Sequence, residues 1–194
     1  AKLIAEYLMV QKRTAQVQSW IDAVSPTTGR VHGKVNSNGA VTGRMTHNSP
    51  NLAQVPASYS PYGKDCRECW SVREGYKLVG FDASGLELRM LAHYMNDKEY
   101  INEVVNGDIH STNQRLAGLE SRDTAKTFIY ALLYGAGDAK LGSVVGGNQR
   151  AGKSLRERFS SNLRSFGVLR ERIQSKISYG PQMVTGLDGR LVHV

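Results

Sequence analysis

SRDTAKTFIYALLYGAG, residues 121–137, is the stretch around which the rest of the chain organises. Ala125, Phe128, Ile129, Leu132 and Ala136 fall on one face at helical spacing, while Arg122, Lys126, Tyr130 and Tyr134 recur every fourth residue on another. At about 100° per residue the second set makes a slowly drifting stripe, so one face packs and the other meets a ligand. Ser121 is the expected N-cap and Gly135 marks the end. Two cations in the first turns sit at the positive end of the helix dipole, an unfavourable place unless an anion is bound there. A triphosphate would suit Arg122 and Lys126; the tyrosines one and two turns on could meet a sugar and a stacked base.

Working outward, YKLVGFD (76–82) reads as a buried strand and SGLELRMLAHYM (84–95) as a helix that follows at once. Asp82, at the end of the expected strand, is placed to hold a hard cation such as magnesium, with Glu87 on the next helical turn lining the same pocket. Taken alone, Asp82 could equally cap that helix. Short helices are expected over 98–106 and 109–117, separated by NGD, and a longer one over 150–177. TGLDGRLVHV (185–194) reads as a hairpin turning at Asp188-Gly189, and GKVNSNGAVTG (33–43) as one turning at Asn38-Gly39. Residues 1–13 carry Leu3, Ile4, Tyr7 and Leu8 at the spacing of a packed helix, whereas 48–63 is proline-rich and irregular.

With 194 residues, 40% of them hydrophobic, the chain can bury a sizeable core, and its net charge of +8 suits a polyanionic partner. Charge alone does not separate nucleic acid from a membrane surface, but no apolar run is long enough to span a bilayer and the first residues lack a signal-peptide core. The expectation is a cytoplasmic protein, in the host cytoplasm if viral, with no membrane partner. Cys66 and Cys69 form a lone C-x-x-C, expected as two reduced thiols in a loop. GNQRAGKS (147–154) fits the phosphate-binding P-loop pattern through Gly147, Gly152, Lys153 and Ser154. That motif needs a buried strand before it, and LGSVVG (141–146) is short and interrupted by glycine, so a solvated loop is expected instead.

DASGLELRMLAHYM (82–95), GDIH (107–110) and RDTAKTFIYALLYGAG (122–137) resemble, in order and spacing, motifs A and B of the family A DNA polymerases, most nearly those of T-odd podophages. The resemblance extends upstream through VTGRMTHNSPNLAQVP (41–56) and downstream to GLDGRLVHV (186–194). It implies an α+β fold, a partial right hand with antiparallel palm sheet elements and a mostly helical fingers subdomain. Residues 1–97 would form part of the thumb base and the palm with motif A, 98–180 the fingers with motif B, and 181–194 the start of a truncated return to the palm. The implied activity is template-directed DNA synthesis on a primer-template with dNTPs. Asp82 and the carbonyl of Ala83 would ligate two magnesium ions. His110, Arg122 and Lys126 would grip the triphosphate, with Ser84 nearby, and Glu87 backed by Tyr130 would exclude ribonucleotides. A tyrosine at position 130 implies ready acceptance of dideoxynucleotides. Tyr134 would stack by the templating base, and Arg44, Asn51 and Gln54 would contact DNA.

The family also needs a second catalytic aspartate from a His-Asp-Glu turn, and no such triplet occurs in the chain. The sequence also shows no exonuclease motif and no complete thumb. The expectation is therefore a fragment, a truncated frame or one chain of a split enzyme, inactive alone and completed by a second polypeptide carrying that turn. The other readings are a P-loop NTPase using Gly147–Ser154 and a non-catalytic DNA-binding fragment.

Overall fold

The structure, a computed structural model, describes residues 2–180 and 182–193; Ala1 of the expected first helix, and Pro181 and Val194 of the expected return segment, lie outside these. The chain divides into two units, residues 1–81 and 82–194.

In the first unit, helix α1 (Lys2–Asp22) leads to a two-stranded antiparallel ladder, β1 (Lys34–Asn36) with β2 (Thr46–Asn48), then a 3-10 turn at Leu52–Gln54 and the short helix α2 (Gly63–Glu68). α1 is longer than the periodicity suggests, and its first turns are not packed: Leu3 is 81% exposed, and Ile4, Tyr7 and Leu8 are exposed with it. Only the second half meets partners. Trp20 is buried edge-on against Trp70 at 5.1 Å, and Gln16 Nε2 donates to the Gln54 carbonyl at 2.9 Å. β1 and β2 do pair, but the tight turn expected at Asn38-Gly39 is replaced by a wider loop closed by Ala40 N–H to the Arg44 carbonyl at 3.1 Å. Asn38 N–H instead turns back to Asn36 Oδ1 at 3.1 Å, the local side-chain bond that asparagine offers in place of a ladder. Cys66 and Cys69 are unbridged; Cys66 is buried on α2, not in the expected loop, and Cys69 is exposed at the C-cap just past that helix.

The segment 76–82 is not a strand. It is irregular, with Val79 86% and Phe81 96% exposed. An apolar sequence becomes a strand only when a neighbour satisfies its backbone and covers a face, and among the described residues neither ladder extends to it.

The second unit is a helical cluster: α3 (Leu86–Met95), α4 (Lys98–Asn106), α5 (Ile109–Ala117), α6 (Arg122–Leu133), α7 (Asp138–Val144), α8 (Gln149–Asn162) and α9 (Arg164–Tyr179). A hairpin follows, β3 (Met183–Thr185) with β4 (Leu191–His193), turning through Gly189 at φ 78° as Asp188-Gly189 predicts. Local chemistry sets several boundaries: the side chains of Asp97, Asp108, Ser121 and Asn148 each accept a backbone N–H in the first turn of α4, α5, α6 and α8. Such caps stabilise by about 1 kcal/mol each. Ala125, Phe128 and Ile129 of α6 are fully buried, with Leu88, Leu91, Tyr100, Leu141 and Phe159 around them. The helix expected over 150–177 is two helices. Leu163 breaks it with extended backbone (φ −122°, ψ 80°) and is itself buried, and Phe159 and Phe166 meet edge-on across the break at 5.4 Å.

GNQRAGKS is not a P-loop, nor is it a solvated loop. The segment before it is helix α7, Asn148 caps α8, and Gly152, Lys153 and Ser154 lie within that helix. Gly152 is buried at a close approach of α8 to α7: a Cβ there would come within 1.9 Å of the Asp138 carbonyl. Beside this contact Arg156 Nη2 donates to Asp138 Oδ2 at 3.0 Å. Lys153 is exposed and faces Glu157 one turn on at 3.9 Å. Gly152→Ala is expected to destabilise the second unit by about 1–3 kcal/mol through overpacking. Lys153→Ala should change it by less than about 0.5 kcal/mol. Urea unfolding of both variants checks this, and the reverse order would contradict the packing.

Candidate functional site

The polar face of α6 opens on a cleft of about 440 Å³ within the second unit. Arg122, Lys126 and Tyr130 line one wall; Asp82, Ser84, Gly85 and Arg89 line another, and Asp108, Ile109 and His110 close it at the start of α5. The burial of Ala125, Phe128 and Ile129 makes this possible, because fixing one face of a helix against a core also fixes the direction of the stripe that flanks it.

Asp82 lies on exposed, irregular backbone and does not cap α3. That helix starts at Leu86 with Gly85 as its N-cap, in the left-handed region at φ 59° that glycine adopts without strain, and no side chain caps it. Arg89 Nε donates to the Ser84 carbonyl at 3.0 Å and so ties the second turn of α3 back to the loop carrying Asp82 and Ala83.

Arg122 and Lys126 occupy the first turns of α6 as the spacing predicts, but Arg122 is already paired. Its Nε and Nη2 donate to Asp108 Oδ2 and Oδ1 at 2.8 and 3.0 Å, a bidentate fork. The same carboxylate accepts from His110 N–H at 3.2 Å and Ser111 Oγ at 2.7 Å. These bonds, with the Arg122 guanidinium foremost, hold the Asp108 carboxyl well below the usual carboxylate range. The cost of a cation at a helix N-terminus is thus offset internally. Asp108 escapes a search for catalytic carboxylates, although an Asp directly before IHSTN is the signature of a helix cap.

His110 is half-buried, its ring 6.3 Å from that of Tyr130, and its Nδ1 has no hydrogen-bond partner among the described residues. Burial, followed by the charges of Arg122 and Lys126, pushes its pKa down, so the imidazole is neutral at neutral pH and can offer one N–H to an incoming acceptor. Burial and the Glu87 carboxylate push the Tyr130 phenol up. Tyr134 is the C-cap of α6, its N–H still bonded to the Tyr130 carbonyl at 3.0 Å; it is 62% exposed, and its hydroxyl donates to Glu87 Oε1 at 2.9 Å.

The structure therefore brings together Asp82, Ser84, His110, Arg122, Lys126 and Tyr130, and pairs Glu87 with Tyr134. Arg44, Asn51 and Gln54 belong to the first unit, where Asn51 Oδ1 accepts from Ala53 N–H at 3.1 Å and caps the 3-10 turn. Among the described residues no three His, Cys, Asp or Glu side chains cluster as a ready-made metal site, and no helix is long and apolar enough to cross a membrane.

The DNA-directed DNA polymerases of Enterobacteria phage T3 and Escherichia phage T7 are each 46% identical to the chain over 220 aligned positions, covering 99% of it and 31% of their own length. DNA polymerase I of Chloroflexus aurantiacus is 33% identical over 196 positions, covering 93% of the chain and 20% of its own length. The chain thus spans about a third of the phage relatives. The polymerase domain of Pol1 from M. smegmatis, solved with DNA primer-template and dNTP, shares the fold with a TM-score of 0.80 at 23% identity, over 94% of this chain and 34% of that one. The description of DNA polymerase family A matches residues 1–193, and the chain belongs to that family.

Proposed function

We propose that the chain supplies the nucleotide-binding wall and one metal-binding carboxylate of a DNA polymerase that extends a primer on a template with dNTPs. The observation that carries this is the single cleft in which Asp82 faces the Arg122, Lys126 and His110 set. Relatives across phages and bacteria are named as DNA polymerases, and the M. smegmatis domain was solved with the substrates proposed here.

Magnesium fits the donors at hand: one carboxylate and one carbonyl are few, but this cation commonly takes one or two protein carboxylates and completes its shell with phosphate oxygens and water. Asp82 and the Ala83 carbonyl would hold it. When bound, the two ions of such a site would together activate the primer 3′-hydroxyl and neutralise the leaving pyrophosphate. A second ion needs a further carboxylate supplied by residues other than these. Arg122 and Lys126 offer charge-assisted hydrogen bonds to the triphosphate, and neutral His110 adds a donor where its charge is not needed. Lys126 would neutralise the leaving group. Glu87, held by Tyr134, would stand against the sugar 2′ position, and Tyr130 beside it would face the 3′ side.

Arg44, Asn51, Gln54 and Tyr134 are proposed as DNA contacts. Residues 1–97 are proposed as part of the thumb base and the palm with motif A, 98–180 as the helical fingers with motif B and 181–194 as the start of the return to the palm. The proposed location is the cytoplasm, that of the host if the protein is viral.

Asp82→Ala should lower primer extension by a polymerase containing this chain by more than about 100-fold, beyond the loss expected from disturbing a metal's outer shell alone. Affinity for primer-template should stay within about twofold, the change left when no DNA contact is removed; normal turnover would refute the metal assignment. Tyr134→Phe removes the hydroxyl that holds Glu87 and should raise ribonucleotide incorporation relative to deoxynucleotide by up to about tenfold, the scale of one hydrogen bond. Glu87→Ala should raise it further. Unchanged discrimination in both would remove the pair from the sugar site.

A further inference from the structure

We infer that Asp108 is a positioning residue for nucleotide binding, setting the guanidinium of Arg122 and the start of α5 with one carboxylate. The inference rests on the reading of Arg122 as a triphosphate ligand and adds a residue that touches no substrate.

The geometry leaves little freedom. Oδ1 accepts from His110 N–H at 3.2 Å and Arg122 Nη2 at 3.0 Å; Oδ2 accepts from Ser111 Oγ at 2.7 Å and Arg122 Nε at 2.8 Å. A carboxylate has about four acceptor sites, and all four are used. Two come from the first turn of α5 and two from Arg122, fourteen residues away on α6. The carboxylate therefore locks two helix starts together, and they are the starts that carry His110 and Arg122 into the cleft.

Arg122 gives up only one edge to this bond. A guanidinium has five N–H donors in a plane; the fork with Asp108 consumes two, and the three on the outer side stay available to an anion. Without the fork, a long flexible side chain would have to be ordered by the nucleotide itself, and part of the binding energy would go into ordering it. The pair is half-exposed, so its value lies in direction more than in stability. The same hydrogen bonds, that of Arg122 first, hold the carboxyl well below the usual carboxylate range and so favour the ionised form that the fork needs.

Asp108→Asn separates the two duties. Asparagine caps as well as aspartate, so α5 keeps its N-cap through Oδ1. Its Nδ2 is a donor, however, and would face the Nε–H of Arg122 without accepting from it. In a polymerase containing this chain, at saturating primer-template, Asp108→Asn should raise the KM for dNTP about tenfold while helical content and urea midpoint stay unchanged. In an Arg122→Ala background the same change should alter KM by less than about twofold, because the residue it positions is gone.

Equal losses in both backgrounds would show that Asp108 acts independently of Arg122, and would overturn the inference while leaving the site intact. An unchanged KM for Asp108→Asn in the parent would overturn it too. If Arg122→Ala itself leaves KM unchanged, the phosphate role of Arg122 fails, and the positioning role of Asp108 falls with it. Asp108→Ser, which also caps but cannot form the fork, should behave as Asp108→Asn does; normal binding in that variant would again count against the inference.

Discussion

Burial of Ala125, Phe128 and Ile129 in the helical core is the constraint on which the site depends. Phe128 meets Phe159 edge-on at 5.5 Å, and Phe159 meets Phe166 in the same way, so three helices are pinned through one run of aromatic rings. Removing such a ring typically costs about 3–5 kcal/mol, a large part of the stability of a domain this size. Because a helix cannot turn one face inward without turning the other outward, the energy that holds Phe128 also fixes the direction of Arg122, Lys126 and Tyr130. The electrostatics then act on a prepared frame. Asp108 neutralises one cation and sets its angle, His110 stays uncharged between two positive groups, and the loop with Asp82 is tied to α3 through Arg89.

Much of this frame was legible in the sequence, and the legible part is local. Helices over 98–106 and 109–117, the Ser121 cap and the Asp188-Gly189 turn depend on residues within a few positions of one another. What could not be read depends on distant partners. The apolar run 76–82 has the composition of a strand but lacks a ladder among the described residues, and the stripe of Leu3, Ile4, Tyr7 and Leu8 forms its helix without a cover. Leu163 interrupts a continuous helical pattern because its side chain is claimed by the core. The position of Arg122 in the first turn of α6 predicts a cation awaiting an anion; the anion at hand is Asp108, fourteen residues back, and only the fold reveals the pair.

The GNQRAGKS motif makes the complementary point. Its letters satisfy the phosphate-loop spacing, yet that chemistry needs a non-helical loop whose N–H groups converge on an anion. Here most of those N–H groups belong to α8, and the glycine at position 152 serves helix packing against α7. Spacing without backbone conformation carried no function in this case. The motif around Arg122, by contrast, rests on helical spacing, which the folded helix preserves.

The central claim is that the cleft between α3, α5 and α6 is where a nucleoside triphosphate binds. Backbone and side-chain NMR shifts of the isotope-labelled chain, followed during titration with dTTP and magnesium, test it most directly. The account predicts saturable shifts concentrated at His110, Arg122 and Lys126, with 147–154 unmoved. Shifts centred on 147–154, with the α5 and α6 N-termini unchanged, would contradict it.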